Sequence, residues 1–184
     1  MKTTQSSRAR ERKIRCRHRF RGKPISLLTK EQFLPNGRWM PLDMIDHPGA
    51  VCIVPFARRD QVLLIRQYRP VIKKYLYEFP AGTLEAGESP ASCARRELIE
   101  ETGFAARAIR RIGMIYPLPA YSNEIIVIYR AERLFPCQGV QDPDEIIRVH
   151  PATRADVRRL LARGLIRDAK TISALGFCGW YDHV

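Results

Sequence analysis

The chain has 184 residues, 45% of them hydrophobic and 28% charged, with a net charge of +13; this suits one globular domain with length to spare for an arm or tail. Its five cysteines are odd in number and scattered without a CxxC pair, and its four histidines are equally dispersed, which argues against a disulfide framework and a zinc site. No apolar run reaches the roughly eighteen residues of a membrane helix and the start lacks a secretory apolar stretch, so no membrane partner is expected and the cytoplasm is the default location.

In chain order, residues 1–24 come first and carry ten Lys or Arg against the single acid Glu11. Clustered cations of this kind suit a nucleic-acid-binding arm. With only Phe20 as an aromatic there is no stacking platform, and a disordered, self-repelling tail is the favoured reading. Ile25–Leu28 and Gln32–Leu34 read as short strands, Pro35-Asn36-Gly37 as a turn, and Trp39–Asp46 as the returning strand of a hairpin. His47-Pro48-Gly49 breaks the pattern. Ala50–Phe56 is an apolar run of buried-strand type, and Val62–Tyr68 is its hairpin partner across Arg58-Arg59-Asp60. Tyr75–Phe79 is another strand. A helix is expected over Ala91–Glu101, with Ser89 as N-cap, Pro90 in its first turn and Gly103 as a left-handed stop. Ile112–Tyr116, Glu124–Ala131 and Ile146–Val149 follow as strands, then helices over Ala152–Ala162 and Thr171–Phe177. Strands outnumber helices, and the helices come at the middle and end, which points to an α+β or mixed α/β sandwich rather than a doubly wound parallel sheet.

Chemistry concentrates between Gly82 and Phe104, GTLEAGESPASCARRELIEETGF. Glu97, Glu100 and Glu101 stand at i, i+3 and i+4, on one helix face, where like charges destabilise an isolated helix. Two readings neutralise them. One is a hard divalent cation with oxygen ligands, for which Mg²⁺ is best suited. The other is a solvated acidic face with Arg95 and Arg96 as partners. Glu88 precedes Arg96 by eight residues and can pair with it, pinning the loop to the helix. Gly82 and Gly87 let that loop turn tightly.

The spacing Gly82-x5-Glu88-x7-Arg96-Glu97-Leu98-x-Glu100-Glu101-x-Gly103-Phe104 matches the Nudix box at every defining position. The chain thus resembles the Nudix hydrolases. The flanks are similar to the ADP-ribose pyrophosphatase branch in His47-Pro48-Gly49-Ala50-Val51, Arg66-Gln67-Tyr68-Arg69-Pro70 and Tyr77-Glu78-Phe79-Pro80-Ala81-Gly82. Tyr116-Pro117-Leu118-Pro119-Ala120-Tyr121-Ser122-Asn123-Glu124 and Gly164–Thr171 extend the likeness, with Ala120 where many members have Gly.

The resemblance implies an α/β/α sandwich around a mixed central sheet, with an N-terminal β-hairpin. It divides the chain into the basic arm (1–24), a dimerisation hairpin (25–46) and a Nudix domain (47–184). It implies hydrolysis of ADP-ribose to AMP and ribose 5-phosphate, or of another nucleotide sugar or dinucleotide, with Mg²⁺ as cofactor and Mn²⁺ as a substitute. A nucleotide-sensing or RNA-associated protein using the arm is the alternative of another class. Metal ligands would be Glu97, Glu100, Glu101 and the Ala81 carbonyl, with Glu100 counted among the catalytic groups as well. Gly82, Glu88, Arg96 and Gly103 would be structural. Arg69 falls where the family binds phosphate, Glu124 where it binds the terminal ribose, and Pro119 in the substrate loop. Trp39 lies near the adenine-stacking position, or packs a dimer surface. Arg66 is a second phosphate ligand, or pairs with Glu78. The general base is expected in the acidic loop Asp142-Pro143-Asp144-Glu145, with Glu145 first and Asp144 second. Relatives in this branch are homodimers that exchange the N-terminal hairpin.

Overall fold

The computed structural model describes residues 16–22, 25–140 and 144–180. Most of the expected arm (1–15 and 23–24), Asp142 and Pro143 of the acidic loop, and His183 lie outside the described residues. The chain divides into two units, Met1–His47 with Leu118–Asn123, and Pro48–Pro117 with Glu124–Val184. No helix among the described residues is long and apolar enough to cross a membrane.

The smaller unit is a three-stranded antiparallel sheet, β1 (Cys16–Arg21), β2 (Ser26–Phe33) and β3 (Trp39–Asp46), in that spatial order. The β2–β3 hairpin turns at Pro35-Asn36-Gly37, where Gly37 has φ +81° and the Asn36 side chain accepts the Arg38 N–H at 3.1 Å. Two expected short strands are one continuous strand here, because Thr29, Lys30 and Glu31 pair with Asp43, Leu42 and Pro41. β1 comes from the segment assigned to the arm: Cys16–Arg21 pairs antiparallel with β2.

The larger unit is a seven-stranded mixed sheet flanked by helices. Its strands are β4 (Ala50–Arg58), β5 (Gln61–Arg69), β6 (Lys74–Glu78), β7 (Ala81–Thr83), β8 (Phe104–Ile115), β9 (Ile126–Pro136) and β10 (Ile147–Thr153). The path runs β10-β5-β4-β9-β8, with β6 on β5 and β7 on β4. β4 and β9 are parallel, whereas β4–β5, β5–β10 and β8–β9 are antiparallel. The helices are α1 (Pro90–Thr102), α2 (Arg154–Ala162) and α3 (Ala169–Phe177).

β4 explains its own unbroken apolar run. Ala50, Cys52, Val54 and Phe56 join Val157, Leu160, Ala174, Leu175 and Trp180 in one core. The alternate residues Val51 and Ile53 join Cys93, Ala94, Leu98 and Tyr129 in another. A strand buried on both faces needs apolar residues at every position, not at alternate ones. Each fully buried side chain of this size contributes about 1.5–3 kcal/mol.

α1 begins and ends at the expected signals. The Ser89 hydroxyl accepts the Ser92 N–H at 3.2 Å, and Gly103 takes φ +72° while its N–H bonds the Ile99 carbonyl. β8 starts directly after that cap, eight residues earlier than the expected Ile112. The segment Phe104–Arg111 is rich in Ala and Arg, which favour helix, yet it pairs along β9 from Pro136 to Tyr129. Pairing to a long neighbour overrides local propensity there. α2 starts at Arg154 rather than Ala152 because Thr153 and Asp156 form a capping box.

Candidate active site

α1 buries a stripe that is apolar at one end and acidic at the other. Cys93, Ala94 and Leu98 pack into the core, while Glu97 and Glu101 on the same face are also buried. Burial alone penalises those two charges. It pushes the Glu101 carboxyl well above the usual range, with the charges of Glu145 and Glu97 adding to the effect. Burial likewise raises Glu97, only partly offset by Arg96.

The loop before the helix is built around these acids. The Ala81 N–H donates to Glu101 Oε2 at 2.8 Å. Gly82 lies directly under Glu97: a Cβ there would stand 1.8 Å from Glu97 Oε1. Arg96 grips Glu88 side-on, Nε to Oε1 at 3.0 Å and Nη2 to Oε2 at 2.9 Å. That contact is chiefly what draws the Glu88 carboxyl down to about 2. The expected loop-to-helix pin is therefore present. The remaining Arg96 nitrogen, Nη1, donates to Glu97 Oε1 at 2.6 Å and Glu100 Oε2 at 3.0 Å.

Among the described residues no three acidic, His or Cys side chains already converge as a closed metal cage. The donor set still fits a hard cation: it is all oxygen, crowded and under-neutralised, and opens beside a glycine cradle that a side chain would fill. Mg²⁺ suits an open set of this kind because it binds through few carboxylates and keeps waters and phosphate oxygens.

Of the two acids proposed for the loop, Glu145 is the one brought to the cluster. It is half-buried, Gln67 Nε2 lies 3.5 Å from its Oε1, and its charge raises both Glu97 and Glu101. Asp144 is exposed.

Arg69 donates Nε to Glu78 Oε1 at 2.9 Å and Nη2 to Glu78 Oε2 at 2.7 Å. Glu78 also takes an ion pair from Lys170, which binds Asp168 at 3.0 Å. Burial pushes Glu78 up, but the hydrogen bond from Arg69 and the Lys170 charge outweigh it, and the net direction is down. The pairing of Glu78 with Arg66 is not formed. Glu78 stands opposite Ile65 in the β5–β6 register and Arg66 stands opposite Tyr77, so strand alternation turns Arg66 to the other face. Its guanidinium lies 3.9 Å from the centre of the Tyr75 ring instead.

Glu124 is half-buried at the start of the segment leading into β9. Trp39 and Pro119 belong to the smaller unit. Trp39 sits opposite Phe33, with ring centroids 5.3 Å apart, and Pro119 is exposed. Sequence reasoning missed Gln67, Glu78 as the partner of Arg69, Lys170 and Asp168. For Asp168 a signal existed, an acid three residues before Thr171, whose N–H it accepts at 2.9 Å as the α3 cap. For Gln67 and Lys170 none did, since Glu145 and Glu78 are remote from them in sequence; for Glu78 the signal was strand parity across β5 and β6.

A family model described as the NUDIX domain matches residues 46–175. The chain belongs to the Nudix family. The segment Gly82–Phe104 is accordingly its Nudix box, with Glu97, Glu100 and Glu101 on α1. The chain is 34% identical over 160 residues to an ADP-ribose pyrophosphatase of Bacillus subtilis (strain 168), covering 86% of each chain. It is 30% identical over 169 residues to a methanol dehydrogenase activator of Bacillus methanolicus, covering 91% of each. The fold is similar to a crystal structure of an ADP compounds hydrolase, with TM-score 0.76, 26% identity and coverage of 90% of this chain and 91% of that one.

Proposed function

We propose that this Nudix enzyme hydrolyses the pyrophosphate bond of ADP-ribose, giving AMP and ribose 5-phosphate, with Mg²⁺ bound at the box and Mn²⁺ as a substitute. The observation that carries the reaction class is the buried pair Glu97 and Glu101 over Gly82, with Glu145 beside them. The likeness to ADP-ribose and ADP-compound hydrolases supports the choice of substrate.

Glu97, Glu100, Glu101 and the Ala81 carbonyl would hold the ion, which when bound polarises phosphate oxygens and offsets transition-state charge. Glu145 takes a proton from the attacking water, while Gln67 holds the carboxylate in place. The water oxygen bonds to one phosphorus, and the bridging oxygen leaves with the other phosphate. Arg69 binds the pyrophosphate, and Arg66, on the other face of β5 over the Tyr75 ring, is left out of the phosphate set. Glu124 binds the terminal ribose. Residues 1–24 take no part in hydrolysis, and nucleic acid is not a required partner.

The substrate reading is tested by comparing kcat/KM for ADP-ribose, GDP-mannose and NADH with Mg²⁺. ADP-ribose should lead by at least about tenfold, which is about 1.4 kcal/mol of preferential transition-state binding. A better rate on either competitor would replace it. The cradle at Gly82 gives a second expectation. Gly82→Ala drives a methyl into the Glu97 carboxylate, costing about 1–3 kcal/mol of stability by overpacking. Displacing Glu97 by about 1 Å should also cut turnover on the order of 10²-fold. Thermal melts and steady-state rates check both.

A further inference from the structure

We propose that Glu78 and Lys170 are positioning residues for Arg69: Glu78 holds the guanidinium by its inner edge, and Lys170 cancels the charge that Glu78 would otherwise set against a phosphate. The proposal rests on the reading that Arg69 binds the substrate pyrophosphate.

A guanidinium has five N–H groups in a fixed plane. Glu78 takes one from Nε and one from Nη2 at 2.9 and 2.7 Å. The outer edge keeps an N–H on each of Nη1 and Nη2, the parallel pair that matches two phosphate oxygens. Exposure follows the same division. The Glu78 side chain is 1% exposed and that of Arg69 38%, so the clamped edge is dry while part of the side chain reaches solvent.

A carboxylate behind a phosphate-binding arginine weakens that arginine's attraction for an anion unless something neutralises it. Lys170 does so from α3, with Asp168 completing a set of two cations and two anions. Helix stability gives Lys170 no reason to be there, because an ammonium in the first turn opposes the helix dipole. Nor does fold stability require buried ion pairs, since apolar residues of similar volume often serve as well. Two further contacts fix the geometry. Asp168 Oδ1 accepts from both the Thr171 N–H at 2.9 Å and Lys170 at 3.0 Å. The Phe79 N–H donates to Thr171 Oγ1 at 2.9 Å, which ties the residue after Glu78 to the helix that carries Lys170.

The test is a double-mutant cycle on ADP-ribose hydrolysis with Mg²⁺, using wild type, Lys170→Met, Arg69→Met and the double variant, with melting temperatures for all four. Lys170→Met should raise KM roughly tenfold, the lower end of the effect of losing an outer-shell partner, with kcat little changed. Lys170→Arg should restore most of the loss. In the Arg69→Met background the Lys170 change should have a clearly smaller effect on KM. A purely structural lysine would lower the melting temperature and shift KM equally in both backgrounds; additive effects therefore overturn the proposal. So does a wild-type KM for Lys170→Met alongside a raised KM for Arg69→Met. A wild-type KM for Arg69→Met instead removes the phosphate-binding reading beneath it. Should Lys170→Met fail to fold, Glu78→Asp, which keeps the charge but shortens the reach to Arg69, is read in the same cycle.

Discussion

Glu101→Gln is expected to lower kcat on the order of 10³-fold, equivalent to about 4 kcal/mol of transition-state stabilisation, the scale of metal and oxyanion contacts. The fold should tolerate the change. Glu101 is 4% exposed, and burial holds its carboxyl well above the usual range. A carboxyl with a raised folded-state pKa opposes folding once pH rises past the unfolded value, because ionising it inside is uphill. The neutral amide removes that cost and still accepts the Ala81 N–H. The metal-free variant should therefore melt at the same or a higher temperature than wild type at pH 8, and gain less from added Mg²⁺. A Glu101→Gln enzyme with wild-type turnover would end the assignment of this carboxylate to the metal.

Glu145→Gln is expected to lower kcat by about 10²–10⁴-fold, the usual contribution of a positioned general base, with KM little changed. Asp144→Asn should have a far smaller effect. The two acids are neighbours in sequence, but only Glu145 is half-buried beside Gln67 and close enough to raise Glu97 and Glu101. Rates across pH separate this role from metal binding: a lost base removes the acid limb of the kcat profile, whereas a weakened metal site responds to higher Mg²⁺. If Asp144→Asn proves the more damaging of the two, the base has been misassigned.

What the sequence disclosed and what it hid divide along a physical line. α1 was legible to within a residue at each end because its signals are local: Ser89, Pro90 and Gly103 act on the turns they flank. β4 was legible because both its faces are buried, and its apolar run announces this. The start of β8 was not, because Phe104–Arg111 has helix-favouring residues and becomes a strand only by pairing with β9, which comes later in the chain. β1 was hidden for a similar reason. Cys16–Arg21 carries the same charge density as the residues before it and differs from them in pairing with β2. A truncation meant to isolate the basic arm therefore belongs before Cys16, since a cut after residue 24 also removes a strand.

The candidate site splits in the same way. The box carboxylates and the Glu88–Arg96 pair lie within one loop and helix, so spacing alone placed them. Arg69 was named for its phosphate role, but its inner partner depends on strand parity and on Lys170, which lies 92 residues beyond Glu78. Parity also decides against Arg66 as the partner of Glu78, a distinction of one residue that a motif does not carry.

Buried glutamates on α1 are expected to serve a divalent cation in breaking a pyrophosphate, and product analysis of ADP-ribose incubated with the metal-stripped protein, with and without added Mg²⁺, tests this. Equimolar AMP and ribose 5-phosphate are expected with Mg²⁺, and loss of both products when a chelator is present. Undiminished AMP in the chelator, or none with Mg²⁺, would contradict it.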